Sequence, residues 1–122
     1  MRGEVAGVGI DIVDVDNMEK LLSGRSRSRI FTSGELVYCD GKENPILHLS
    51  GRFAAKESVI KALSLSRDSG LILKDIEIVG GNGPPEVILR NELSKYNELF
   101  RIMISISHSE RTAAAFAVAV EK

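Results

Sequence analysis

The 122 residues are 43% apolar and 27% charged, a globular composition of about one domain's length, so one domain over 1–122 with a single core is expected. A net charge of −1 gives no electrostatic reason to expect nucleic-acid binding, and the lone Cys39 excludes an intrachain disulfide framework. The N-terminal MRGEVAGVGID lacks the continuous apolar run of a signal peptide or membrane span, so the expectation is a cytosolic protein without membrane attachment.

Val8, Ile10 and Ile12 alternate with Gly9, Asp11 and Val13, the period of two of a strand. Asp16 with Glu19 three residues on offers an N-cap, and Met18, Leu21 and Leu22 follow at helical spacing up to Gly24. The next segment gathers Lys20, Arg25, Arg27 and Arg29 with no intervening acid. It is either a solvated helix end and loop or a docking patch for an acidic partner. In FTSGEL, Thr32 and Glu35 are spaced as a capping box and Phe31 and Leu36 as a hydrophobic staple, which starts a second helix. Asn44 and Pro45 repeat the start signal for a third helix, running to about Leu65. KDIEIV, the turn GGNGPP and EVILR predict a hairpin. NELSKYNELF predicts a helix capped by Asn91, and RIMISIS and TAAAFAVAV predict a second hairpin around HSER. Small side chains on one face of the last strand suit close approach of another layer or subunit. The class is α+β, with a largely antiparallel sheet.

Three residues sit where structure alone does not call for them. Glu57 falls on the border of the apolar stripe of the long helix, where a carboxylate loses hydration and needs a cation, a donor or a metal. Lys61, one turn on, offers the plain alternative of an i,i+4 pair, stabilising by only about 0.2–0.5 kcal/mol. Asp11 lies inside a strand, where Asp is disfavoured, two residues from a glycine that leaves room for a close approach; an edge or turn Asp is the alternative. If Asp11 and Glu57 converge, two carboxylates are the usual protein share of a Mg²⁺ site that substrate phosphates complete. His108, between Ser107 and Ser109 at a strand end, is either a turn histidine or a site residue.

GVGIDIVDV, FTSGEL, GRFAAKESVIKA, NGPPEV and SISHS, in this order and spacing across nearly the whole chain, resemble the holo-[acyl-carrier-protein] synthase family of 4′-phosphopantetheinyl transferases. The resemblance implies transfer of the 4′-phosphopantetheine arm of coenzyme A to a serine of apo acyl carrier protein in fatty acid biosynthesis. It implies Mg²⁺ on Asp11 and Glu57, Lys61 on the coenzyme's phosphates, and Arg52, Phe53, Pro85 and His108 near the nucleotide. It also implies a homotrimer with active sites at subunit interfaces, a remedy for the modest core of so small a domain. The acidic carrier protein then gives Lys20, Arg25, Arg27 and Arg29 a docking role. Two departures stand out: SLSRDSG follows the long helix where relatives carry a GTG-like turn, and Lys42 is the only basic residue in DGKENP, where relatives often carry several. A non-catalytic carrier-binding module and a Mg²⁺-dependent nucleotide or pyrophosphate hydrolase are the competing readings.

Overall fold

In the computed structural model, which describes residues 2–81 and 83–122, strand β1 (Val5–Asp14) alternates as predicted but with an unexpected choice of faces. Val8, Ile10 and Ile12 point outward, at 55%, 61% and 69% exposure. The opposite face, with Gly7, Gly9, Asp11 and Val13, lies on helix α4 (Pro45–Ala62). The glycines make this possible. A Cβ on Gly7 would stand 1.9 Å from the Ala62 carbonyl oxygen, and one on Gly9 2.0 Å from that of Ser58, so the strand backbone rides directly on the helix backbone.

Three short helices connect β1 to α4: α1 (Val15–Leu21), α2 (Ser26–Ile30) and α3 (Ser33–Asp40). The cap of α1 is Asp14, accepting from the Asn17 amide, and Asp16 lies in the first turn. Both acids suit a helix start, but Asp14 is the residue still extended. α3 begins with the predicted capping box: Thr32 accepts from the Glu35 amide, and Glu35 from the Thr32 amide. α4 starts at Pro45 as expected, but Asn44 makes no side-chain cap bond, and the helix ends at Ala62. It is buried almost all round.

Beyond two 3₁₀ turns (Arg67–Ser69 and Leu73–Asp75), β2 (Ile76–Gly81) and β3 (Gly83–Leu89) form the first predicted hairpin; Asn82, in its turn, lies outside the described residues. The predicted helix after it is broken into a 3₁₀ turn at Asn91–Leu93 and a single turn, α5 (Tyr96–Leu99). Asn91 does not cap: its backbone is left-handed, with φ 53°, and its side chain donates to Asp75 Oδ1 at 2.8 Å. β4 (Phe100–His108) and β5 (Thr112–Glu121) complete an antiparallel sheet of order β1-β5-β4, separate from β2-β3. Ala113, Ala115, Ala117 and Ala119 of β5 are buried where α4 crosses the sheet, so small residues on both the strands and the helix give a tight two-layer core. No helix among the described residues is long and apolar enough to cross a membrane.

Candidate functional site

The seam between β1 and α4 carries the first group of predicted residues. Two strand residues rise about 6.7 Å and one helical turn about 5.4 Å, which is how Gly7 comes to face Ala62 and Gly9 to face Ser58. Asp11 lies two residues further along the same face of the strand. Asp11 is reached by Lys61, whose Nζ lies 3.4 Å from Asp11 Oδ1 and donates to the Ile10 carbonyl at 2.8 Å. Glu57 takes a different cation. Its Oε2 pairs with the guanidinium of Arg67, from the first 3₁₀ turn, and not with Lys61. The acids are largely shielded, with side chains 20% and 13% exposed, while Lys61 and Arg67 are each 54% exposed. Each of these shielded carboxylates thus carries one half-exposed cation.

Such a donor set fits Mg²⁺. Two hard carboxylate oxygens, reachable from solvent, are what that ion takes from a protein when phosphates and water complete its octahedron. Among the described residues no group of three or more His, Cys, Asp or Glu side chains gathers, so the chain offers no complete cage of its own.

The second group lies elsewhere on α4. Arg52 precedes Glu57 by five positions, about 140° around the helix, and faces α3 and the β2-β3 hairpin. Its Cζ stands 4.1 Å over the Tyr38 ring, and a Cβ on Gly80 would come within 2.7 Å of its Nη2 and 3.9 Å of Pro85. A side chain at Gly80 would have to push the guanidinium of Arg52 aside. Arg52 is 6% exposed, and its Nε is buried without a hydrogen-bond partner, an orphaned donor that suits an incoming anion. His108, exposed at the end of β4, meets His48 of α4 edge-on, with ring centroids 5.7 Å apart. Burial first, then the charges of His108, Arg52 and Lys42, hold the His48 pKa below its usual 6.5. Phe53 is partly buried against the core. The predicted site residues therefore form two groups on different sides of α4, with Asp11 on one edge strand of the sheet and His108 on the other.

The basic patch is partly committed. Arg27 pairs with Asp40 at 2.6 Å, while Lys20, Arg25 and Arg29 are exposed around α1 and α2.

Sequence reasoning missed three participants. Arg67 lay in a segment singled out only for departing from the GTG-like turn of relatives, His48 was left without a role, and Lys56 was passed over as a neighbour of Glu57. Lys56 is fully buried and donates to Glu35 Oε1 at 2.8 Å and to the Leu73 and Ile76 carbonyls at 3.0 and 2.6 Å. Burial pushes its pKa down and Glu35 opposes the shift. The capping box gave a signal, since a Glu held at a helix start beside a lysine-bearing helix can serve both.

Residues 7–119 match the 4′-phosphopantetheinyl transferase superfamily. The holo-[acyl-carrier-protein] synthase of Protochlamydia amoebophila is 40% identical over 116 residues, 92% of this chain and 95% of that protein. The acyl carrier protein synthase structure from Mycobacterium tuberculosis superposes with a TM-score of 0.79 at 34% identity, covering 98% of this chain and 100% of that one. The holo-(acyl-carrier-protein) synthase from Bacillus anthracis, solved in complex with CoA (3′,5′-ADP), gives 0.82 at 30% identity, covering 97% and 98%.

Proposed function

The chain belongs to the 4′-phosphopantetheinyl transferase superfamily, and on that premise we propose that it is a holo-[acyl-carrier-protein] synthase of fatty acid biosynthesis, working in the cytosol. It moves 4′-phosphopantetheine from coenzyme A to a serine of apo acyl carrier protein. The observation that carries this reading is the β1-α4 seam, where the shielded carboxylates of Asp11 and Glu57 are countered by the half-exposed cations Lys61 and Arg67. A protein that only bound its partner would have no use for two half-desolvated acids.

In the reaction the serine oxygen bonds to the phosphorus next to the pantetheine, the bond from that phosphorus to the diphosphate bridge breaks, and adenosine 3′,5′-bisphosphate leaves. Mg²⁺ held by Asp11 and Glu57 would supply neutralisation of the diphosphate and acidity at the serine hydroxyl. Lys61 uses two of its three donors on Ile10 and Asp11, which leaves one for the departing phosphate. Glu57, or a water at the seam, would take up the serine proton. Arg52, with His108 and Pro85, holds the nucleotide end; its orphaned Nε is suited to a phosphate oxygen. Lys20, Arg25 and Arg29 steer the acidic carrier protein to the seam.

The two groups on different sides of α4 are best used by a homotrimer in which one subunit's seam faces the next subunit's Arg52–His108 group. The outer sheet face supports that assembly, because Val8, Ile10, Ile12, Met103 and Phe116 leave 41–69% of their surface exposed, an apolar patch of the kind that marks a subunit interface. Sedimentation should give three times the 13.3 kDa chain mass, and a monomer would remove the assembly. The transfer itself is tested by intact-mass spectrometry of apo carrier protein incubated with coenzyme A and Mg²⁺. A phosphopantetheine adduct is expected, and an unmodified carrier beside hydrolysed coenzyme would favour the hydrolase.

A further inference from the structure

The segment after α4 is built to return one side chain to the seam. α4 closes in a Schellman motif: the Ser64 amide donates to Lys61 O at 3.2 Å and the Leu65 amide to Ile60 O at 3.0 Å. The left-handed position of this motif is held by Ser64, at φ 53°, where glycine is the usual occupant. Ser66 then organises the 3₁₀ turn. Its hydroxyl accepts from the Asp68 amide at 3.2 Å, its carbonyl accepts from the Ser69 hydroxyl at 2.7 Å, and Gly70 at φ 80° turns the chain away. These bonds are all local, so the turn is a preformed unit hung from the helix end. Among the described residues, its long-range tie through a charged side chain is Arg67 to Glu57.

We propose that Arg67 is a built-in competitor for the divalent ion: it neutralises Glu57 while the ion is away and must leave that carboxylate when the ion arrives. This inference rests on the reading of Asp11 and Glu57 as the ion's ligands. The two seam cations differ in what they can do afterwards. Lys61 is also anchored to the Ile10 carbonyl of the strand and keeps its place if Asp11 changes partner. Arg67 is half-exposed, and its contact with Glu57 is lost when that carboxylate binds a metal. Ion binding is then coupled to release of the 66–70 turn, and the bare acids never face each other without a counter-charge.

The test is direct titration of Mn²⁺, without coenzyme A or carrier protein, by electron paramagnetic resonance on the full-length wild type, Arg67→Ala, Arg67→Lys and Asp11→Asn. Removing a competing pair of this exposure should tighten Mn²⁺ binding by about two- to fivefold in Arg67→Ala, with Arg67→Lys between it and wild type and Asp11→Asn much weaker. Amides 66–70 of the wild type should also exchange faster when Mn²⁺ is added, and those of Arg67→Ala should not respond. Affinity equal to or weaker than wild type in Arg67→Ala, with Asp11→Asn still impaired, overturns the competition and leaves the ligand assignment standing. Binding that is absent in every protein, or unaffected by Asp11→Asn, overturns the ligand assignment and the competition with it.

Discussion

Lys56 and Glu57 are adjacent in sequence and end in opposite kinds of ion pair. Lys56 turns inward to Glu35, both side chains at 0% exposure; all three ammonium donors are used, and both carboxylate oxygens accept, from Lys56 and the amides of Thr32 and Ile78. Glu57, about 100° around the helix, meets a cation that is half in solvent. The sealed pair joins α3, α4 and β2 and can do nothing else. The open pair is incompletely satisfied, screened by water and exchangeable. A helix can therefore carry a structural clamp and a working acid on consecutive residues, because the clamp fixes the rotation that presents the acid.

The largest effect should come from breaking the clamp. Lys56→Met leaves Glu35 buried without its cation and should cost about 3–5 kcal/mol in chemical denaturation, whereas Lys56→Met with Glu35→Gln, which removes the buried charge and keeps an amide oxygen for the backbone donors, should recover part of that loss. A single replacement that melts like wild type would put both pairs in the same class. On the open side, Glu57→Gln should leave the midpoint of denaturation nearly unchanged and lower the single-turnover transfer rate by about 100-fold or more; loss of stability with retained rate would reverse the comparison. Neutralising Lys20, Arg25 and Arg29 together should raise the KM for carrier protein several-fold at low salt, with the difference shrinking toward physiological ionic strength as screening sets in. The smallest effect concerns His48. Its folded pKa is depressed, so the unfolded chain takes up a proton near pH 6.5 before the folded one does. Its contribution is present above that pH and falls away below it. His48→Gln should flatten the loss of melting temperature between about pH 7 and 5, and an unchanged slope would count against the part-buried, charge-crowded setting of this ring.

Much of this was legible in the sequence because the signals are local. The Thr32–Glu35 box, Pro45 and the alternating strands name their own structures, and Asp11 announced itself by standing in a strand beside Gly9. What was illegible depends on partners distant in the chain. The outward turn of Val8, Ile10 and Ile12 makes sense only once Gly7 and Gly9 are seen to seat the strand on α4. Asn91 looked like a cap until Asp75 claimed its side chain. The obvious i,i+4 partner of Glu57 was Lys61, yet Lys61 is drawn to Asp11 and the Ile10 carbonyl, and the left-handed Ser64 delivers Arg67 in its stead.

The central claim, that Asp11 and Glu57 share one divalent ion serving the transfer, is tested most directly by the Mg²⁺ dependence of phosphopantetheine transfer in wild type, Asp11→Asn and Glu57→Gln. The wild type should be silenced by a chelator and restored by Mg²⁺, and each variant should need far more Mg²⁺ for half its own maximal rate. Transfer that survives the chelator, or variants whose Mg²⁺ requirement equals that of wild type, would contradict the account.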